Sequence, residues 1–455
     1  MNYKRKIYQK LLDWKNEPVR NSALLIEGAR RVGKSTIVEE FAKNEYDDYI
    51  LIDFMYETDE MKNLFKNLKD LDSFFANFFL LAGKSLTPHK GIIIFDEVQF
   101  CPLARQGIKK FVKDGRYDYI ETGSLLSIRD NTENISIPSE ERRIEMFPMD
   151  YEEFLWAFNK MDSADLIRKA YNDEFKITDD VHNMLMNDFR KYLCLGGMPK
   201  VLSIFQETNS YISADNEKRD IIKLYKDDLL KHDLKYKTVT RKIYDSIPSQ
   251  LSKSSSRYLV SSSFENKRAS DIALSLFDLN DSKTVNTIYN CTDPMLGFEL
   301  SKSDGLFKIY PNDVGLLFTY LYSEKIEDIN NVYKKAIFDN LNSDFGRVFE
   351  GLVAQNLVAN GYKPYYHTFE IVKKTIKDGE EVEKVTNYEI DFMINKNGKP
   401  AAIEVKSGKN FTTSSLDNIN VKYPQIKFDK IVCSVKKYER YNSIINIPLY
   451  MIFCL

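Results

Sequence analysis

The segment Gly28-Ala29-Arg30-Arg31-Val32-Gly33-Lys34-Ser35 constrains this chain more than any other, because two glycines, a lysine and a serine stand at fixed spacing between two patterned runs. The apolar run before it, Ala23–Glu27 (ALLIE), reads as a buried strand, and the run from Thr36 to Asn44 reads as a helix. A strand feeding a helix through such a loop can curl its backbone so that successive N–H groups face one point, the glycines tolerating the curl. The positive end of the helix dipole adds to the same point. Gly28 to Thr36 are therefore expected to cradle phosphates, with Lys34 neutralising the terminal two and Ser35 holding Mg²⁺. The implied ligand is ATP.

Further strands are expected at Tyr49–Phe54, Gly91–Phe95, Tyr117–Thr122 and Ile144–Pro148, with helical patterning over 59–84. Strands alternating with helices predict an α/β parallel sheet covered on both faces. The third strand delivers Asp96 and Glu97 in IIIFDEVQ. Asp96 is expected to hold Mg²⁺ and Glu97 to polarise the attacking water. The fourth strand ends in ETGS, where Ser124, or alternatively Thr122, is placed to sense the γ-phosphate.

These pieces, GARRVGKST, FDEVQ, ETGS and FPMDYEEF, resemble the AAA+ superfamily of P-loop ATPases, and more narrowly a prokaryotic group of them. Met149-Asp150-Tyr151 departs from it, standing where Leu-Ser-Phe is usual; the later GGMP and FKIYPNDVGLL segments match it. The resemblance implies an ATPase core over 1–155 and a helical lid over 156–235. It also implies an arginine donated by a neighbouring subunit of a homo-oligomer. Arg142 and Arg143, expected between the sensor strand and the next strand, are the candidates.

Beyond Tyr151 helical signals dominate to about 240, with a turn at Gly196-Gly197. A winged-helix module is expected over 236–325, with short helices opened by SIPSQLSK and formed by SKTVNTIYNCT; FKIY reads as a strand and GLLFTYL as a helix. From 326 to 455 a second α/β unit is expected. Its helix Asp344–Asn360 carries Glu350. Its strands Tyr388–Ile394 and Ala401–Lys406 flank an Asn-Gly turn, a hairpin signal. Lys430–Ser434 and Pro448–Phe453 read as further strands. Glu404 and Lys406, two apart on a strand, share a face, and Val405 is expected to enter the core. Glu350, Asp391, Glu404 and Lys406 in this order resemble the restriction-endonuclease-like PD-(D/E)xK superfamily, although Ile390 rather than proline precedes Asp391. That resemblance implies a second Mg²⁺ or Mn²⁺ on Asp391 and Glu404, and DNA or RNA as partner.

Global charge gives this no support: the formal net charge is -2 with 29% charged residues. Five scattered cysteines without a C-x-x-C pair and four separated histidines predict free thiols and no zinc cluster. Without an apolar run of spanning length, a cytoplasmic protein with no membrane contact is expected.

Overall fold

In the computed structural model the run Ala23–Glu27 is strand β1, buried at every residue. Residues 3–19, 21–123, 138–231, 236–253, 257–322, 329–338, 345–377, 380–408 and 410–455 are described. They fall into two units. One comprises Met1–Phe147, Asp228–Lys237 and Asp281–Lys283; the other comprises Pro148–Asp227, Thr238–Asn280 and Thr284–Leu455.

The first unit is built on β1, β2 (Asp48–Asp53), β3 (Gly91–Asp96), β4 (Asp118–Gly123) and β5 (Glu141–Glu145). All pairings are parallel, in the order β2-β3-β4-β1-β5. β1 and β3 are buried at every residue, and apolar up to the Glu27 and Asp96 that end them, rather than alternating, as in a parallel sheet covered on both faces. An aromatic layer fills one face, with Phe54, Phe65 and Phe95 in mutual contact and Phe111 stacked on Tyr119. The helical pattern over 59–84 is two helices, Asp59–Leu64 and Leu71–Ala82, the second capped by the Asp70 carboxylate. Strand β5 begins before the position expected for it, so Arg142 and Arg143 lie inside the edge strand rather than ahead of it.

The second unit carries the helices Tyr151–Ala157, Met161–Asn172, Asp179–Leu195 and Pro199–Thr208. Asp150 caps the first of them by accepting from Glu153 N at 2.9 Å. An aspartate there does the capping work a serine does, so the departure in FPMDYEEF keeps its structural purpose. The GGMP and PNDVGLL segments meet. The Asp313 carboxylate accepts from Gly197 N at 2.6 Å, and a Cβ on Gly197 would lie 2.0 Å from the Met149 carbonyl oxygen. Only glycine permits that approach.

Eight strands form the second sheet: β6 (Val285–Cys291), β7 (Lys302–Pro311), β8 (Tyr365–Lys377), β9 (Glu380–Lys396), β10 (Lys399–Lys406), β11 (Asp429–Ser434), β12 (Glu439–Tyr441) and β13 (Ile444–Pro448). Their order is β12-β13-β11-β10-β9-β8-β6-β7. Strands β8, β9 and β10 form an antiparallel meander, and the helix Ser414–Lys422 leads to β11, parallel to β10. The β9–β10 turn is the expected Asn-Gly, with Asn397 and Gly398 both at positive φ.

Three expectations fail here. SKTVNTIYNCT contains strand β6, not a helix, and β6 pairs with β8, so this part of 236–325 shares a sheet with the C-terminal segment. SIPSQLSK opens no helix; most of it lies in the last turns of the helix Lys237–Leu251. Pro448–Phe453 is mostly the 3₁₀ turn Leu449–Cys454, whose residues up to Phe453 are all buried. No helix among the described residues is long and apolar enough to cross a membrane. All five cysteines are free thiols.

Candidate functional site

The loop after β1 owes its shape to close packing. A Cβ on Gly28 would sit 2.3 Å from the Met146 carbonyl oxygen, and Gly33, at φ 100°, leads into the helix Lys34–Glu45. Arg31 also takes a left-handed backbone and faces solvent. Ala29 and Val32 are buried, while Thr36 is exposed in the first helical turn. Arg5, missed in the sequence, braces the loop by donating to Val32 O at 2.8 Å and Phe147 O at 2.7 Å.

Lys34 is buried and donates to Gly28 O at 2.9 Å and Ala29 O at 3.0 Å. Burial pushes its ammonium down to about 8, only partly offset by Glu97 and Asp96. Because β4 lies between β1 and β3, the strand ends bring three groups to one carboxylate oxygen. Asp96 Oδ1 accepts from Ser35 Oγ at 3.0 Å, from the Thr122 hydroxyl, and from Glu97 N at 3.2 Å. Ser35 and Asp96 thus present hard oxygen ligands side by side, which suits Mg²⁺. No group of three His, Cys, Asp or Glu side chains that could hold a metal exists among the described residues. A Mg²⁺ held by one carboxylate and one hydroxyl takes its remaining ligands from phosphates and water.

Glu97 sits at φ 50°, ψ 49°, an uncommon backbone for a non-glycine residue. Its carboxylate accepts from Gln99 Nε2, a buried partner presented by the 3₁₀ turn Val98–Phe100. Gln99 stood in the quoted FDEVQ string, but nothing in sequence marked its role. Ser124 lies outside the described residues; Thr122, its alternative, reaches Asp96. Arg142 pairs with Glu17, and Arg143 lies 3.1 Å from Glu141 and 3.6 Å from Glu27. Arg30 pairs with Asp228 at 3.1 Å, a partnership invisible in sequence. Behind the site, Arg105 forms a buried two-pronged pair with Glu141 at 2.6 and 2.8 Å. Burial holds the neighbouring Glu121 well above the usual carboxylate range, with the Glu141 charge acting in the same direction.

In the second unit Glu350, Asp391, Glu404 and Lys406 do converge, but with company. Lys308 of β7 is fully buried, its Nζ 2.7 Å from Glu389, 3.8 Å from Asp391 and 3.9 Å from Glu350. Glu350 also accepts from Arg347 and from the Tyr310 hydroxyl, both at 2.6 Å. Burial raises Glu350, yet Lys308 and Arg347 outweigh it and hold the group below its ordinary value. Asp391 accepts from Val405 N at 2.8 Å; burial and the Glu350 charge push it up to about 7 despite Lys308. Lys406 pairs with Glu404. The expected facing of β10 is reversed, since Glu404 is 1% exposed and Val405 only half-buried.

Residues 20–155 match the family model described as an AAA domain. Residues 186–326 and 345–452 match two models, each described as a domain of unknown function, DUF8612 and DUF4143. No curated protein matches the chain. Among solved structures it is similar to the Walker-type ATPase PABY2304 of Pyrococcus abyssi, with 14% identity and a TM-score of 0.39 over 70% of this chain and 96% of that one. It is also similar to C. elegans PCH-2, with 12% identity and a TM-score of 0.23 over 48% of this chain and 63% of that one. The phosphate loop, the paired acids at the end of β3 and the parallel sheet all lie within or border the segment 20–155 that matches the AAA domain model, and they fit it.

Proposed function

We propose that the protein hydrolyses MgATP with Lys34 on the β and γ phosphates, Ser35 and Asp96 on Mg²⁺, and Glu97 activating water. The observation that carries this is the convergence of Ser35, Thr122 and Glu97 N on one oxygen of Asp96. Phosphates draw Lys34 away from the loop carbonyls, because a charged acceptor binds an ammonium more strongly than a neutral one. Mg²⁺ neutralises charge developing on the phosphates. Gln99 donates to one oxygen of the Glu97 carboxylate and so orients it, leaving the other oxygen to take a proton from the attacking water. Thr122 keeps Asp96 oriented. Glu97→Gln should retain MgATP binding while the hydrolysis rate falls about 100-fold or more. Turnover at the normal rate in that variant would remove Glu97 from its role.

The energy serves the second unit as an interaction module, in this reading. Its four carboxylates, Glu350, Glu389, Asp391 and Glu404, already face Lys308, Arg347 and Lys406. A buried ammonium supplies there the charge that a metal would bring. The second reading, cleavage of DNA or RNA, is favoured by the meeting of Glu350, Asp391, Glu404 and Lys406. Incubation with linear duplex, single-stranded DNA and RNA, with ATP and Mg²⁺ or Mn²⁺, separates the two. Intact substrate supports the module; cleavage lost in Lys406→Ala supports the nuclease. Arg142 and Arg143, engaged with their own chain's acids, would have to exchange partners to serve a neighbouring subunit. Sizing of the Glu97→Gln protein with and without ATP tests such assembly.

A further inference from the structure

Arg30 lies in the phosphate loop, directly after the two carbonyls that hold the Lys34 ammonium. Its charge acts on that ammonium, so the guanidinium lies within electrostatic reach of the place the phosphates take. Its partner is Asp228, 3.1 Å away, with the two side chains 22% and 17% exposed. Asp228 stands near the end of the helix Tyr211–Lys231 and belongs to the unit of the ATPase sheet. A carboxylate near a helix C-terminus meets the negative end of the dipole, so helix stability does not account for its position. The arginine does.

We propose that Asp228 competes with the phosphates of the nucleotide for Arg30: it pairs with the guanidinium here and yields it when ATP binds. This rests on the reading of the loop as the ATP site. A phosphate carries more charge than a carboxylate and can accept a guanidinium through two oxygens, whereas Asp228 Oδ1 accepts from Arg30 Nη1 at 3.1 Å, so the phosphate wins the exchange. Asp228 then loses its 3.1 Å contact with Arg30 and has a triphosphate nearby instead. Like-charge repulsion moves the helix end that bears it. Nucleotide occupancy thereby becomes a change in the position of Asp228.

Titration calorimetry with MgATP on the Glu97→Gln protein, where turnover does not interfere, tests this in a four-protein cycle. Adding Asp228→Asn should tighten binding roughly three- to fivefold, the upper range for a partly exposed ion pair. Adding Arg30→Ala should weaken binding. With Arg30→Ala present, Asp228→Asn should change the Kd less than about twofold, because the competition is gone. Simple repulsion between Asp228 and the phosphates predicts the same tightening in both backgrounds, and that result overturns the proposal. So does weaker binding on Asp228→Asn, which would make the carboxylate a support for Arg30. Urea midpoints of the four proteins reveal any variant that fails to fold, and Asp228→Glu, which keeps the charge, should restore the starting Kd. If the Glu97→Gln protein binds no MgATP, the ATP-site reading falls; if it binds but ignores Asp228, only this inference falls.

Discussion

Lys34 and Lys308 are both buried, and their surroundings treat them in opposite ways. Lys34 meets two backbone carbonyls and more distant acids, and burial pushes it down to about 8. Burial acts on Lys308 in the same direction, but Glu350, Glu389 and Asp391 overcome it and push the ammonium up to about 12. A buried cation that its own chain under-compensates is prepared for an anionic ligand. One that its chain compensates fully is part of the scaffold. Desolvation is common to both sites, and the supply of carboxylates decides which is which.

The comparison breaks most readily at Lys308. Lys308→Met should cost about 3–5 kcal/mol in urea unfolding, because it leaves several buried carboxylates facing one another. If millimolar Mg²⁺ or Mn²⁺ restores that loss, the cluster is a metal site with an internal occupant. A loss indifferent to metal makes it scaffold. Lys34→Ala should leave the fold intact and raise the Kd for MgATP about 100-fold or more, about 2.7 kcal/mol. Equal stability losses in both variants would erase the distinction.

Smaller effects of pH sharpen it. Below about pH 8 Lys34 is protonated with or without nucleotide, so affinity should be flat. Phosphates raise its pKa, so above pH 8 binding must take up a proton and the Kd should rise up to about tenfold per pH unit. Calorimetry in buffers of different ionisation enthalpy reads that proton directly. Asp391 behaves as a carboxyl raised to about 7 in the fold against about 4 unfolded. Between those values the unfolded chain binds fewer protons, so stability should fall as pH rises, by up to about 1.4 kcal/mol per unit. Asp391→Asn keeps an acceptor for Val405 N and should flatten that slope between pH 4 and 7 in denaturant titrations.

What was legible in the sequence was local. The loop Gly28–Thr36, the acids after β3 and the Asn397-Gly398 turn are each specified within a few neighbouring residues. The partners that give those groups their properties come from far along the chain: Arg5 for the loop, Asp228 for Arg30, Lys308 for the carboxylates. No spacing rule connects them. Strand β6 was misread because Asn286 and Asn290 are buried on the face where apolar residues would mark the alternation. Strand β5 was misplaced because an edge strand, exposed at Arg142, Arg143 and Glu145, shows no apolar period. The run at Leu449–Cys454 is buried almost all round, and such a run does not distinguish strand from helix.

The strand order has a consequence for how the protein is made. β1 pairs only with β4 and β5, although β2 and β3 are synthesised first. The loop that follows β1 also needs Met146 against Gly28. On the ribosome the phosphate loop therefore emerges early and stays without form until Glu141–Glu145 has followed it out. At about 5–20 residues per second this leaves on the order of 5–20 s in which the nascent chain cannot be stabilised by ATP. Until β4 follows, which takes up most of that interval, β1 has no strand beside it. A ribosome that stalls between β3 and β4 should release a chain that aggregates whatever the nucleotide concentration.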